Sequence, residues 1–248
     1  MIRAMIFDLD GTLVQTEMLK AISYARAAVE LCPQELREDE VLEAFKQVVG
    51  LSRREVAQRL VDRFQLQDKA REQMSQYGVD TPWQAFIQVR LRHYEQMLSD
   101  PGVIVSHQWP NNLEVLELAR ASQCSTGLAT MSRCRQATRV LKILELQQAF
   151  DFVASRDDVE NGKPDPEIYE LVARELEVPA PECLVLEDSP SGVEAAISAG
   201  MWCIAVTTPF THDGVHEQGL LPTEWIVDDP NQVLEAVGRM LEERRIDD

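Results

Sequence analysis

The 248-residue chain is long enough for one large domain or two modest ones, and its 45% apolar and 27% charged content is that of a soluble globular protein. Lys and Arg number 24 against 42 Asp and Glu, and this net charge of −18 argues against nucleic acid or an anionic membrane as the main partner. An anionic ligand would need positive charge supplied by its own site. No segment approaches the apolar length of a membrane span, and the N-terminus enters a strand without a secretory pattern. The five cysteines (Cys32, Cys124, Cys134, Cys183, Cys203) are odd in number and never form a C-x-x-C pair, which fits reduced thiols filling the core of a cytoplasmic protein.

Met5-Ile6-Phe7 reads as a buried strand that ends on Asp8 and Asp10. From about Glu17 to Leu98 apolar residues recur at helical spacing with no convincing strand. The stripes are Leu19, Ile22, Ala25 and Val29; Val41, Phe45 and Val48; Val56, Leu60, Val61 and Phe64; and Trp83, Phe86, Ile87, Arg90, Leu91 and Tyr94. Gly50, Gly78 and Thr81-Pro82 punctuate the block, with Thr81 as a cap and proline at the first helical position. From about Pro110 short strands and helices alternate. Helices are expected at 113–121, 135–144, 168–176, 193–199 and 233–242, the last begun at Asp229-Pro230. Strands are expected at 125–130, 152–154, 183–186, 202–206 and 225–227. Such alternation implies an α/β, Rossmann-like three-layer core with a parallel sheet covered on both faces. The helical block then reads as an insertion. Residues 1–14 and 101–248 would form the core, and 15–100 an all-helical cap, with linkers near Val14-Gln15 and Asp100-Pro101-Gly102.

On this skeleton the polar residues fall at strand ends. Side chains at i and i+2 of a strand emerge on one side, so Asp8 and Asp10 meet there. Their repulsion would hold one ionised and push the other towards its protonated form, a pairing that suits a nucleophilic carboxylate beside an acid/base group. A polar turn closing an edge strand has the same composition. Thr130 ends the second strand with Ser132 nearby, and Glu187 and Asp188 follow the strand at 183–186. Lys163 lies in Gly162-Lys163-Pro164-Asp165-Pro166, before a helix. Singly, these are a turn threonine, a solvated lysine, and a helix cap in Glu187-Asp188-Ser189-Pro190. Ligands of open parallel sheets bind beyond the carboxyl ends of the strands, so the groups should converge. Together they are the parts that phosphoryl transfer through an aspartyl intermediate requires.

The pattern resembles the haloacid dehalogenase-like superfamily, mostly magnesium-dependent phosphatases and phosphomutases. The matching segments are Phe7-Asp8-Leu9-Asp10-Gly11-Thr12-Leu13, Leu128-Ala129-Thr130, the Lys163 segment, and Leu186-Glu187-Asp188-Ser189 with Gly192. The helical block resembles that family's small cap, and Gly50-Leu51-Ser52-Arg53 a cap-loop motif of its β-phosphoglucomutase-like branch. The resemblance implies that Asp8 is the nucleophile and Asp10 the acid/base group. It implies that Lys163 and Thr130 bind the phosphoryl oxygens, with Gly11, Thr12 and Ser132 beside them. It further implies a Mg²⁺ ion held by Asp8, the Asp10 carbonyl and Asp188, with Glu187 at or near it. A small phosphorylated metabolite of the sugar or polyol type would be the partner, and a monomer is the default state.

Three departures bear on the branch. The histidine common early in a mutase's first cap helix is replaced by Lys20, and no histidine precedes His93. That weakens the reading as a β-phosphoglucomutase-like phosphomutase, which stands as the alternative beside a low-turnover phospho-ligand binding protein. Trp109-Pro110-Asn111 stands where relatives often have Pro-Gly, and Asn111 is expected to keep a left-handed turn. Met131 replaces a small polar residue as a neutral change. Lys20 and Arg53 are the expected cap-side substrate contacts, with Arg54 and Arg90 as weaker candidates that read better as exposed charges on helical faces.

Overall fold

The computed structural model describes residues 1–48 and 53–246, so Gly50, Leu51 and Ser52 of the expected cap-loop motif lie outside the described residues. The chain divides into two compact units, one of residues 1–15 with 104–248 and one of residues 16–103.

In chain order, β1 (Ala4–Phe7) precedes five helices, α1 (Thr16–Leu31), α2 (Glu38–Lys46), α3 (Arg53–Arg63), α4 (Gln67–Tyr77) and α5 (Pro82–Ser99). There follow α6 (Pro101–Ser106), α7 (Pro110–Ala121), β2 (Ser125–Ala129), α8 (Cys134–Ile143), β3 (Phe152–Ala154), α9 (Glu167–Glu175) and β4 (Cys183–Glu187). The chain closes with α10 (Pro190–Ser198), β5 (Trp202–Val206), α11 (His212–Gln218), β6 (Ile226–Val227) and α12 (Val233–Ile246).

The six strands form one parallel sheet in the order β3-β2-β1-β4-β5-β6. All four residues of β1 are buried, as expected of a central strand covered on both faces. Its alternate residues Ala4 and Ile6 join a core with Ala129, Val185 and Cys203 of neighbouring strands and Ile168, Tyr169, Val172, Val193 and Ala196 of α9 and α10. Helices α7 and α12 pack on each other, α7 also on β1 and β2 and α12 on β5.

Several expectations are corrected. Asn111 is not left-handed: Trp109 is the extended N-cap of α7, Pro110 takes the first helical position, and Asn111 continues the helix while its amide reaches the Pro230 carbonyl. Proline favours that position because its missing N–H has no helical partner to lose. Thr81 does cap α5 with Pro82 behind it, but its hydroxyl goes to Gln84 Oε1 at 2.8 Å, not to a backbone N–H. Trp225 belongs to a short 3₁₀ turn ahead of β6. Helices α4, α6 and α11 bury too few apolar side chains to give a stripe; α4 buries only Ala70. No cysteine is in a disulfide; Cys183 and Cys203 fill the core, but Cys134 is exposed at the start of α8.

Arg90 is the largest surprise in the helical unit. It is 4% exposed, not a surface charge, and its guanidinium lies 5.0 Å from the Tyr24 ring and 4.5 Å from that of Tyr94. Aromatic faces attract a cation where water is excluded. Arg54 is exposed as expected, 5.5 Å from the Trp83 ring. Among the described residues, no helix is long and apolar enough to cross a membrane.

Candidate active site

The strand registers bring three chain segments to one level, because Phe7 pairs with both Leu128 and Leu186. The residues one step beyond are Asp8, Ala129 and Glu187, and one cation joins them. Lys163 donates to Asp8 Oδ1 at 2.7 Å, to the Ala129 carbonyl at 3.0 Å and to Glu187 Oε1 at 2.6 Å. An ammonium has three N–H donors, so each is committed to a different strand. The Lys163 side chain is 4% exposed and its ammonium stands 4.9 Å from the Tyr169 ring, which overturns the solvated reading of this lysine.

Burial disfavours the charge on Lys163, but Asp8 and Glu187 outweigh it and raise the ammonium above the ordinary lysine range. The two carboxylates then diverge. Burial pushes Asp8 up to about 8 against the pull of Lys163, with Glu187 and Asp10 adding to the rise. Repulsion from Asp10 is thus a minor cause; desolvation leads. Burial works on Glu187 too, yet its carboxyl lies below the usual range because Lys163, the Ser189 N–H and the Tyr169 hydroxyl favour the anion. Oε1 accepts from Lys163 and from Tyr169 Oη at 2.8 Å, while Oε2 accepts from the N–H groups of Asp188 and Ser189 and from Ser189 Oγ, at 2.9, 3.0 and 3.1 Å.

Asp10 is held differently. Its Oδ2 accepts from Thr130 Oγ1 at 3.0 Å and from Ser132 Oγ at 2.6 Å. Between the two aspartates and α1 the chain makes a tight turn, with the Gly11 N–H on the Val14 carbonyl at 2.7 Å. Gly11 has φ +100°, and a Cβ there would fall on the Asp188 carboxylate. Thr12 Oγ1 lies 3.5 Å from Asp188 Oδ1, the limit of a hydrogen bond, and the Thr12 carbonyl accepts from Asn112 Nδ2 at 2.6 Å. Asp8, Asp10, Gly11, Thr12, Thr130, Ser132, Lys163, Glu187 and Asp188 all belong to the sheet unit and gather at one end of it. Lys20 and Arg53 belong to the helical unit. Lys20 pairs with Glu17 at 2.5 Å and Arg53 is exposed; burial raises the Tyr24 hydroxyl above its ordinary value, against the pull of Arg90, Arg53 and Lys20.

The haloacid dehalogenase-like hydrolase family matches residues 5–206. The chain belongs to that family. Among its relatives, a phosphorylated carbohydrates phosphatase of Thermotoga maritima is 33% identical over 212 residues, which cover 85% of this chain and 88% of that protein. A phosphoglycolate phosphatase of Salmonella typhimurium is 29% identical over 245 residues, or 96% and 93% of the two chains. A Thermotoga maritima structure provisionally named a β-phosphoglucomutase superposes with a TM-score of 0.71 at 27% identity, covering 96% and 99%.

In this haloacid dehalogenase-like hydrolase the donor set fits a hard divalent cation. Asp8, Glu187 and Asp188 are 5%, 0% and 1% exposed and offer oxygens within 4.8 Å of one another. Three buried carboxyl groups stand against one buried ammonium, and a divalent cation among them would offset the burial that raises Asp8. Glu187 is the poorest ligand of the three, since five donors already occupy its two oxygens. Sequence reasoning missed Tyr169, Ser189 as a partner of Glu187, and Asn112. Only Ser189 had a signal, as the helix cap it also is: its Oγ accepts from the Gly192 N–H at 3.1 Å.

Proposed function

We propose that this hydrolase is a Mg²⁺-dependent phosphatase that cleaves a small sugar or polyol phosphate through an aspartyl-phosphate on Asp8. The observation that carries this reading is the burial of Lys163 against Asp8, with Asp10 held two positions away by two hydroxyls. Once ionised, Asp8 Oδ attacks phosphorus in line and forms the P–O bond as the ester oxygen departs; a bound divalent cation would favour that ionised form against the burial that raises Asp8. Asp10 protonates the leaving alkoxide, then takes a proton from the water that cleaves the acyl phosphate and releases inorganic phosphate. Thr130 and Ser132 hold the Asp10 carboxyl in place through Oδ2. Lys163 balances charge beside the transferring group, and Glu187 holds Lys163 in place. Asp8, the Asp10 carbonyl and Asp188 would hold Mg²⁺, which supplies further positive charge for the phosphoryl oxygens. Gly11 and Thr12 line the phosphate side.

The test is phosphate release from an aryl phosphate and a panel of sugar phosphates, with and without Mg²⁺. Asp8→Asn should abolish turnover and Asp10→Asn should lower it by about 10²- to 10⁴-fold. Equal rates for wild type and Asp8→Asn would overturn the reading. The likeness to a structure named a β-phosphoglucomutase favours a phosphomutase as second reading. Inorganic phosphate appearing from the first turnover of a sugar 1-phosphate, ahead of any 6-phosphate, would sink that alternative.

A further inference from the structure

Beyond the carboxylate cluster, two of the chain's four histidines stand together at the far edge of the same sheet. Parallel pairing of β5 with β6 sets Val206 against Val227, and the Thr207 N–H continues the ladder to the Val227 carbonyl at 3.0 Å. Asp228 therefore emerges beside Thr207. The segment after Thr207 turns on paired hydroxyls of Thr208 and Thr211, 3.0 Å apart, and starts α11. His212 and His216 are four residues apart on that helix and share a face, with ring centroids 4.6 Å apart. Both face Asp228: His216 Nε2 is 3.1 Å and His212 Nε2 3.8 Å from Asp228 Oδ2.

We propose that His212, His216 and Asp228 form a zinc site, separate from the catalytic cluster. Bonds of about 2.0–2.2 Å at tetrahedral angles put neighbouring ligand atoms roughly 3.3–3.6 Å apart, between the two distances found here. Imidazole nitrogen with one carboxylate is a donor set for zinc, not for the magnesium that an all-oxygen site prefers. The supporting contacts are also present. Asp213 Oδ1 lies 2.8 Å from His212 Nδ1, which turns that ring's Nε2 outward as the ligand atom. Thr207 Oγ1 donates to Asp228 Oδ1 at 2.8 Å and steadies a carboxylate whose two oxygens lie 3.0 and 3.1 Å from His216 Nε2, with Oδ2 also facing His212. The three side chains are 49%, 34% and 47% exposed, so an ion can arrive from solvent and keep water as its fourth ligand. Bound there, zinc fastens α11 to the β6 end of the sheet.

The test is titration of the full-length, chelator-stripped protein with zinc alone, in excess Mg²⁺ to fill the carboxylate cluster. Wild type should bind one zinc and gain thermal stability from it. His212→Ala and His216→Ala should lose both effects while keeping their Mg²⁺-dependent activity. Thr207→Val should weaken zinc by about 10- to 100-fold, and Asp188→Asn should leave it unchanged. Cobalt in place of zinc should give the intense visible bands of a four-coordinate ion in wild type and in Asp188→Asn, and in neither histidine variant. Absence of zinc binding by wild type, or binding that survives both histidine variants, would overturn the proposal. Loss of zinc in Asp188→Asn would do so too, by moving the ion to the catalytic cluster.

Discussion

Glu187 shows how a single side chain organises the candidate site. It is fully buried, accepts five hydrogen bonds and orients Lys163, so its position tolerates little movement. Gly192, in the first turns of α10, is the residue that leaves room for it. A Cβ at Gly192 would land on the Glu187 carboxylate, and that carboxylate cannot swing aside without unpairing buried donors. Gly192→Ala is therefore expected to destabilise the protein by about 1–3 kcal/mol. Gly238, inside α12, is the control, because a Cβ there meets nothing within 4 Å. Gly238→Ala should stabilise by about 0.5–1 kcal/mol through helix propensity alone. Each kcal/mol corresponds to about 2–4 °C in Tm for a chain of this size, so calorimetry should show shifts of opposite sign. Equal shifts would mean that α10 moves freely away from Glu187.

At the scale of elements, the loop between β3 and α9 is shaped to deliver Lys163. Glu167, in the first turn of α9, accepts the N–H of Glu160 at 2.8 Å on one oxygen and that of Asn161 at 2.7 Å on the other. From the opposite side, Arg156 donates to the Val159 carbonyl at 2.6 Å and to that of Glu160 at 3.1 Å. Nothing in the sequence marks Glu167 as more than an acidic residue favoured at a helix start, yet it acts as the loop's clamp. Glu167→Ala should lower kcat by up to about 10²-fold by misplacing Lys163, with a modest fall in Tm beside it. The N–H groups of Asn161 and Glu160 also hold the Glu167 carboxyl below its ordinary value. A depressed value contributes stability above the unfolded carboxyl pKa, and that contribution is lost as pH falls through the folded one. The Tm difference between wild type and Glu167→Gln should accordingly narrow as pH drops below the usual glutamate range. A gap that stays constant in acid would show that the clamp does not depend on the charge.

On the scale of the whole molecule, what could be read from the residues followed how local each signal was. β1 and β4 are continuous apolar runs bounded by carboxylates, so both the strands and the acids at their ends were legible. Arg90 was not, because its burial depends on Tyr24, far away in the chain, and a polar residue in an apolar stripe reads as the stripe's edge. Nor was the raised Asp8 carboxyl, which follows from desolvation by a sheet assembled from distant segments. Net charge is the global property that needs no fold to read, and it bears on rate. At −18 the molecule repels an anionic substrate at long range, while Lys163 is buried and acts only at contact. Screening shortens the reach of charge from about 30 Å at 0.01 M salt to about 8 Å at 0.15 M. With Mg²⁺ held constant, kcat/KM for a phosphorylated substrate should therefore rise with salt over this range, by up to about 10-fold. An uncharged viscogen at matched viscosity separates this from diffusion. If kcat/KM instead falls steadily with salt, the field at the mouth of the site is positive in spite of the net charge.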